Sequence, residues 1–333
     1  MNTPNILIRL PNWLGDMVMS TAFVHAVKEA YPGATIDLIA KKGVDFLLDY
    51  FPDHGHRYIF SKDEYKGLSG ALKFGKKIKA RKRYDIFFCL PDSFSSAMMA
   101  YASGAKKRAG FKNEIRSLLL TDTFTRKKDT HRVEEYVNLL QQYLKKDITI
   151  PEVRLENNAT QIKNSLLINI NSEAASRRLP VAKAISMIQT LREKLPQDFV
   201  LLGSPKEKTF VDEVYEGLAS KKGIRNMAGK TTLPQLIETI AGIPVMLTTD
   251  SGPAHVANAL GTHSIVLFGA GNENNTAPYN KKDRTIIRLG ELGCEPCTKN
   301  TCKLYDQPKC LTLLDDNFIA QQVEEVLNKT NHK

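Results

Sequence analysis

Acidic, hydroxyl and arginine side chains follow several apolar runs of this chain, where a strand would pass into a helix. The run IPVMLTT leads into a turn that holds Asp250, Ser251 and Gly252, and Pro253 suits the first turn of the helix that follows. The free N–H groups and the positive dipole end of such a helix favour an anion, most often a phosphate. A simple N-cap is the alternative interpretation of Asp and Ser here. The turn is therefore a candidate phosphate site.

Two further strand ends carry residues that could do chemistry. The run NILIRL leads into PNWLGD, which puts Asp16 where a carboxylate suits a general base, with an N-cap as the alternative. The run SLLINI leads into NSEAASRRLP and so to Arg177 and Arg178. Arginine forks suit the oxygens of a diphosphate, and plain surface charge is the alternative. The sequence has no dinucleotide fingerprint, P-loop or Asp-x-Asp pair, so arginines and helix ends would have to neutralise a phosphate.

The cysteines form a separate group near the end of the chain. Cys294, Cys297, Cys302 and Cys310 follow the pattern C-x2-C-x4-C-x7-C, while Cys89 lies far away in an apolar run. Four thiols this close could hold a structural zinc, and loop cysteines that are reduced or partly disulfide-bonded are the alternative. Neither interpretation gives these residues a part in catalysis.

The elements that would position these residues follow an α/β pattern. Short apolar runs alternate with amphipathic helical patterns, for example at residues 19–30, and the pattern occurs twice in 333 residues, on either side of a polar stretch at residues 152–164. We therefore expect two Rossmann-like domains with parallel sheets that face each other across a cleft. The predicted bounds are 1–155, 165–315 and, for a C-terminal helix that packs back on the N-terminal domain, 316–333.

The positive charge of the chain is concentrated in one region. The net charge is +11, and residues 51–150 contain 21 basic and 11 acidic side chains. A basic surface suits nucleic acid, an anionic membrane face or a phosphorylated substrate, and a solvated helix face is the alternative for residues 73–83. Nucleic acid is the weakest of these, since only Phe74 and Tyr84 accompany the charges. No apolar run of about 18 residues and no signal-peptide pattern is present, so we expect a cytoplasmic protein.

Five stretches together resemble the ADP-heptose:lipopolysaccharide heptosyltransferases. They are LPNWLGDMVMSTAFVHAVKEAYPGATIDLIA, LPDSFSSAMMAYASGAKKRAGF, AGKTTLPQLIETIAG, TDSGPAHVANALGTHSIVLFG and CEPCTKNTC. The resemblance spans nearly the whole chain. The tryptophan-containing turn and the cysteine-rich tail look most like those of the members that add the second heptose of the inner core.

The resemblance implies a GT-B fold and an inverting, metal-independent transfer that requires no cofactor. The donor is ADP-heptose on the C-terminal domain, and the acceptor is lipid A–Kdo–heptose on the N-terminal domain. We expect a monomer without a nucleic-acid partner. Its basic N-terminal domain would hold it at the anionic inner face of the cytoplasmic membrane of a Gram-negative bacterium. A related GT-B transferase or a nucleotide-sugar epimerase acting on another surface glycan is the alternative.

The resemblance also implies roles for single residues. Asp16 would be the general base, and Arg177, where the family usually has lysine, would neutralise the diphosphate. The chain has RRLP where the family has lysine-arginine-tryptophan-proline, which leaves open which arginine meets the phosphate. The full predicted donor site is Ser172, Arg177, Arg178, Thr231, Asp250, Ser251, Gly252 and His255. The predicted acceptor contacts are Asn12, Ser93 and Ser96.

Overall fold

The computed structural model describes residues 3–157, 159 and 164–331, and the chain divides into two compact units, Met1–Glu156 and Asn157–Lys333. Residues 158 and 160–163 of the predicted boundary lie outside the described residues. So do residues 1–2 and 332–333 of the first and last predicted segments.

The first unit is built on a six-stranded parallel sheet with the order β3-β2-β1-β4-β5-β6. Its strands are β1 (Asn5–Arg9), β2 (Thr35–Lys41), β3 (Arg57–Phe60), β4 (Ile86–Cys89), β5 (Lys107–Phe111) and β6 (Asp122–Phe124). Its helices are α1 (Leu14–Met19), α2 (Thr21–Ala30), α3 (Gly67–Arg81), α4 (Phe94–Ala102) and α5 (Arg132–Leu144), with 3₁₀ turns at Asp45–Tyr50 and Glu114–Leu119.

Helices cover both faces of this sheet. On one face Phe88 of β4 contacts Phe23 of α2 and Tyr143 of α5 edge to face. On the other face Phe74 of α3 and Phe87 of β4 belong to one buried apolar cluster. The central strands β1, β2 and β4 are therefore buried on both sides, which is why their sequences read as continuous apolar runs.

The second unit repeats the plan with the strand order β12-β11-β10-β7-β8-β9, again all parallel. Its strands are β7 (Ser165–Asn169), β8 (Asp198–Leu201), β9 (Ile224–Asn226), β10 (Val245–Thr249), β11 (His263–Phe268) and β12 (Arg284–Arg288). Its helices are α6 (Val181–Lys194), α7 (Lys208–Glu216), α8 (Leu233–Ala241), α9 (Gly252–Ala259), α10 (Glu273–Thr276), α11 (Lys309–Thr312) and α12 (Asp316–Asn331), with 3₁₀ turns at Ala175–Arg177 and Lys281–Asp283.

The predicted α/β class with two parallel sheets is confirmed. Seven apolar runs of the sequence are strands, as the α/β pattern predicts: NILIRL, ATIDLIA, YDIFFCLP, SLLINI, DFVLLGS, IPVMLTT and HSIVLFGA. The helical pattern at residues 19–30 covers the last residue of α1 and all of α2. Within the described part of the chain no helix is long and apolar enough to cross a membrane.

The C-terminal helix α12 differs from its predicted position. The sequence analysis places it on the N-terminal domain, whereas Ile319, Val323 and Leu327 of its apolar face lie in the core of the second unit. The ammonium of Lys183 on α6 also lies 2.6 Å from the carboxylate of Asp316. The apolar residues recur every four positions, so one stripe of the helix is buried, and α6 supplies the surface that covers it.

The contact between α3 and α4 depends on a glycine. A Cβ on Gly75 would lie 2.6 Å from both the Ala102 Cβ and the Met99 carbonyl oxygen. Alanine is ordinarily favoured over glycine inside a helix by about 1 kcal/mol. Here the clash involves the backbone of α4, so the two helices would have to move apart.

We expect Gly75→Ala to lower the free energy of unfolding of the first unit by about 1–3 kcal/mol, because overpacking outweighs helix propensity. Urea denaturation followed by tryptophan fluorescence and circular dichroism measures this. Gly293→Ala is the control, since a Cβ there meets no atom within 4 Å, and it should be neutral or slightly stabilising. A Gly75→Ala protein at least as stable as wild type would contradict the packing argument.

Candidate active site

The second sheet has a switch point between β7 and β10. The chain passes from β7 to β8 on one side and from β10 to β11 on the other, although β7 and β10 are neighbours. Open α/β sheets bind ligands at the carboxyl ends of the two strands at such a point. Residues 169–172 and 249–251 lie at these two strand ends, so the predicted donor residues Ser172, Asp250 and Ser251 are neighbours in the structure.

Buried polar side chains join the two strand ends. The Asn169 amide donates hydrogen bonds to the Thr248 hydroxyl at 3.1 Å and the Ser251 hydroxyl at 3.0 Å. The Ser172 hydroxyl donates to the Asp250 carbonyl at 3.3 Å, and the Thr249 hydroxyl donates to the backbone on the β7 side. The two loops therefore hold each other in place without a ligand.

Asp250 is a buried carboxylate at the centre of this arrangement. Its Oδ2 lies 3.2 Å from Nη1 of Arg177, yet this oxygen accepts no hydrogen bond from any described residue. Burial raises the pKa of Asp250, while the charges of Arg177 and Arg288 oppose the rise and Glu273 adds to it. A Cβ on Gly271 would lie 2.0 Å from Oδ2, so only glycine fits beside the acid. The Arg177 ion pair and the close approach of Gly271 therefore enclose this carboxylate oxygen.

The structure gives the two adjacent arginines different surroundings. The Arg178 guanidinium donates to the Ser172 carbonyl from Nε at 3.2 Å and Nη2 at 3.0 Å, and it lies over the ring of Phe210. Arg177 pairs with Asp250, and its Nε has no hydrogen-bond partner among the described residues. Arg178 therefore fixes the β7 loop, and Arg177 is the one with hydrogen-bonding capacity to spare.

The helix that follows Asp250 begins where the sequence predicts. Ser251 is the N-cap of α9, Gly252 is its first residue, Pro253 lies in its first turn, and His255 is buried two residues further on. The Ser251 side chain does not cap the helix, because its hydroxyl donates to the Thr249 carbonyl at 3.1 Å. The simple capping interpretation therefore fails for Ser251, and the positive end of α9 stays suited to an anion.

The remaining predicted donor residue, Thr231, lies elsewhere on the sheet edge. It is half-buried in the loop between β9 and α8, beside Thr232, which caps α8. Because β7, β8 and β9 follow β10 in the sheet, Thr231 belongs to a loop three strands away from the Asp250 loop.

Arg288, at the end of β12, supports the Asp250 site and was missed by the sequence analysis. Its guanidinium donates to the Glu273 carboxylate at 2.8 Å, to the Gly269 carbonyl at 2.8 Å and to Glu295 at 3.1 Å. These bonds fix the segment that includes Gly271. The sequence signal that could have identified Arg288 is an arginine at the end of an apolar run, followed by Leu-Gly.

The cysteine-rich loop, residues 294–310, lies against the segments that contain Ser176 and Ala270. Its four cysteines are free thiols that line one small cavity. Burial raises the pKa of Cys310 to about 11, with smaller contributions from Glu295 and the other three thiols. Within the described part of the chain, no group of three or more His, Cys, Asp or Glu side chains is placed to hold a metal ion.

This loop is hydrogen-bonded to the two segments that precede Arg177 and Gly271. The Thr298 N–H donates to the Ala270 carbonyl at 2.7 Å, and the Ser176 N–H donates to the Asn300 carbonyl at 3.1 Å. Ser176 precedes Arg177, and Ala270 precedes Gly271. The loop therefore holds both the arginine and the glycine that flank the Asp250 carboxylate.

The first sheet has its own switch point between β1 and β4, and Asp16 lies there in the first turn of α1. One Asp16 oxygen lies 3.5 Å from Nε of Arg132, and the Tyr136 hydroxyl hydrogen-bonds to the carboxylate. Burial raises the pKa of Asp16. The charge of Arg132, the bond from Tyr136 and the charge of Arg126 offset part of that rise.

Asp16 is one end of an ion-pair network that the sequence analysis did not foresee. Arg132 and Arg126 both donate to Glu135, at 2.8 and 2.6 Å. Arg126 also pairs with Asp92, which lies 3.2 Å from Nη1 of the buried Arg116. Three arginines and three acids thus connect α1, the start of α4, the Glu114–Leu119 turn and α5. Arg132 and Glu135 are an i,i+3 pair on α5, but Asp16, Asp92 and Arg116 come from distant segments, so local spacing does not reveal the network as a whole.

The predicted acceptor residues have distinct environments. Asn12 accepts a hydrogen bond from the buried Arg9. Ser93 is exposed and caps α4, since its hydroxyl accepts from the Ser96 N–H at 3.3 Å. Ser96 is buried, and its hydroxyl donates to the Ser93 carbonyl at 2.7 Å, so the structure gives it a structural function in the cap.

An open depression lies beside this cap. It is lined by Asp92, Phe94, Asn113, Ile115 and Arg116. Asp92 and Arg116 also belong to the ion-pair network, which reaches Asp16 through Arg126, Glu135 and Arg132. The depression is the candidate acceptor surface of the first unit.

Comparisons with known proteins agree over the length of the chain. Residues 71–307 match the model of glycosyltransferase family 9 (heptosyltransferase). The chain is 30% identical to the lipopolysaccharide heptosyltransferase 2 of Salmonella typhimurium, over 85% of this chain and 88% of the relative. It is 25% identical to the lipooligosaccharide heptosyltransferase 2 of Campylobacter jejuni, over 98% and 99%.

A solved structure shows the same fold. The E. coli ADP-heptose LPS heptosyltransferase II matches with a TM-score of 0.83 at 23% identity, over 98% of this chain and 99% of that one. The likeness confirms the predicted GT-B class of fold.

The pairing of Arg177 with Asp250 predicts a pH-dependent stability. The folded-state pKa of Asp250 is raised above 3.8, its ordinary value, so its ionisation destabilises the fold increasingly as the pH rises from 3.8 to that raised pKa and by a constant amount above it. Arg177→Met raises the pKa further. We therefore expect its loss of stability to grow between pH 5 and pH 8, to about 1–3 kcal/mol at pH 8.

Urea denaturation at both pH values measures this effect. The control is the double variant Arg177→Met with Asp250→Asn, in which the pH-dependent part should disappear because no carboxylate remains. A loss in Arg177→Met that is equal at pH 5 and pH 8 would show that the ion pair does not set the ionisation of Asp250.

Proposed function

Because the chain belongs to glycosyltransferase family 9, the heptosyltransferase family, we propose that this glycosyltransferase builds the lipopolysaccharide inner core. The donor is ADP-L-glycero-D-manno-heptose, and the acceptor is the heptose already attached to Kdo–lipid A. The names of its relatives support the substrate class. The observation that carries the proposal is a half-buried carboxylate, Asp16, with a raised pKa at the first switch point.

Asp16 is proposed as the general base. It takes the proton from the acceptor hydroxyl while that oxygen attacks the anomeric carbon of the donor. The bond between this carbon and the diphosphate oxygen breaks, and ADP leaves. A single displacement of this kind inverts the anomeric configuration. Burial supports the role, because it raises the pKa of Asp16 and a carboxylate of higher pKa is a stronger base.

Arg132 and Tyr136 are proposed as positioning residues for Asp16. A carboxylate whose pKa is raised too far would be protonated at neutral pH and could not act as a base. The charge of Arg132 and the hydrogen bond from Tyr136 limit the rise in the pKa of Asp16. Both come from α5, one helical turn apart, so a single helix face orients the carboxylate. Glu135 in turn holds Arg132 at 2.8 Å.

The Asp250 turn is proposed as the donor site in the second unit. Arg177 and the positive end of α9 receive the diphosphate, and Asp250 accepts hydrogen bonds from sugar hydroxyls. Oδ2 of Asp250 accepts no hydrogen bond from the described residues and Nε of Arg177 donates none to them, which supports this assignment, because buried polar atoms ordinarily are hydrogen-bonded. Arg178 is assigned to the β7 loop and not to the phosphate.

In this proposal, protein groups neutralise the charge of the departing ADP. Arginine and a helix N-terminus are sufficient anion-binding groups in proteins generally. We therefore propose that transfer requires no added metal ion. The enzyme acts at the cytoplasmic face of the membrane that carries the acceptor, where the basic first unit meets anionic lipid.

The test is a transfer assay with the purified wild-type chain, ADP-heptose and EDTA, with mass spectrometry and anomeric NMR of the product. We expect one heptose to be added to heptosyl-Kdo–lipid A with inversion and none to Kdo–lipid A, because the proposed acceptor is a heptose. Transfer to Kdo–lipid A alone would overturn the acceptor. Loss of activity in EDTA would overturn metal independence, and failure to bind ADP-heptose would overturn the function.

A further inference from the structure

The 3₁₀ turn Glu114–Leu119 carries two strongly exposed apolar side chains. Leu118 is 83% exposed and Ile115 is 68% exposed, the two largest values among the large hydrophobic residues that the structure describes. Side chains three residues apart lie on the same side of a 3₁₀ helix. The turn therefore presents a small apolar ridge to its surroundings.

The ridge is fixed on the fold by the inward side of the same turn. Arg116 is buried, with Nη1 3.2 Å from Asp92 and Nη2 3.4 Å from the Cys89 sulfur. Leu120, which follows the turn, lies in the core cluster beneath α4. Ion pairs and packing thus hold Ile115 and Leu118 outward, at the cost of leaving apolar surface in water.

Basic and aromatic residues continue the same side of the sheet. Helix α4 packs between α3 and the turn. Its outward residues Phe94 and Tyr101 are exposed. Helix α3 has no acidic residue, and its exposed cations are Lys73, Lys76, Lys77, Lys79 and Arg81. A cationic helix, aromatic side chains and an apolar ridge are therefore adjacent.

We infer that this surface, made of the Ile115–Leu118 ridge, Phe94, Tyr101 and the cations of α3, docks on an anionic phospholipid bilayer. Apolar and aromatic side chains enter the interface of a bilayer, and lysines and arginines bind its negative surface. The opposite charges favour lipid over a basic or neutral partner. The inference rests on the proposed function, since it explains how a lipid-anchored acceptor is reached.

The placement of the ridge gives the docking a consequence. Ile115 lines the depression that also includes Asp92 and Arg116. Docking through the ridge would bring the membrane surface to the rim of this depression. An acceptor sugar that projects a short way from the lipid would then lie beside the ion-pair network that reaches Asp16.

The experiment is sedimentation of the full chain with vesicles that contain no acceptor. One set is phosphatidylcholine alone, and the other contains phosphatidylglycerol as well. The variants are Leu118→Asp and, as the matched control, Leu313→Asp, which replaces a leucine of the second unit that is 55% exposed. Both side chains are on the surface, so both variants should fold, and circular dichroism checks this.

Wild type should bind the anionic vesicles and sediment much less with phosphatidylcholine. Leu118→Asp should weaken the binding by about tenfold, because it removes an inserting side chain and adds a repelled charge. Leu313→Asp should stay within about twofold of wild type. Equal binding by Leu118→Asp and wild type would overturn the inference, as would no wild-type binding to any vesicle.

Two further outcomes separate this inference from its alternatives. Binding that appears only when the vesicles contain the lipid A acceptor would overturn the bilayer as partner and assign the ridge to the acceptor lipid. Leu118→Asp should transfer heptose to a deacylated, water-soluble acceptor within about twofold of wild type. If wild type binds vesicles but transfers nothing, the proposed function fails while the docking surface stands.

Discussion

The burial of two carboxylates, each beside an arginine, is the constraint on which the functional regions of both units depend. Asp16 and Asp250 lie at the switch points of their sheets, and burial raises the pKa of each. An arginine offsets only part of this cost, at 3.5 Å from Asp16 and 3.2 Å from Asp250. Most of the surrounding polar structure holds these arginines and acids in place. In the first unit this is the network through Glu135 and Asp92, and in the second it is the Arg288 cluster and the cysteine-rich loop.

The fold could largely be predicted, because strands buried on both faces give continuous apolar runs. Seven strands and the helix α2 follow from that pattern. The strands that escaped it are short, lie towards the sheet edges or alternate in burial. β3 is an example, with the sequence RYIF, every second residue exposed and an edge position in its sheet. The position of α12 could not be predicted either. An apolar stripe predicts that one face of a helix is buried, but it does not predict which surface covers that face.

Some residues of the candidate site could likewise be predicted from the sequence, and others could not. Asp16, Asp250 and Arg177 are recognisable because each lies in the connection between an apolar run and the helix that follows, and chain connectivity places such residues at a sheet edge. The groups that tune them come from distant segments. Arg116, Arg126 and Arg132 reach the Asp16 region from three different elements, and no spacing in the sequence relates them. The choice between Arg177 and Arg178 likewise depends on side-chain direction, which the local pattern RRLP does not encode.

The most direct test of this account is the heptosyl-transfer kcat of Asp16→Asn against wild type across pH, with ADP-heptose affinity measured alongside. Asp85→Asn is the control, an ion-paired acid at the start of β4, the opposite end of the same strands. The account predicts a loss of about 100-fold or more with donor affinity kept. It also predicts that the wild-type rate decreases at pH values below the pKa of Asp16, which is higher than 3.8. The variant should not show this decrease. A variant that keeps more than about a tenth of the wild-type kcat, with the same acid limb, would contradict Asp16 as the base.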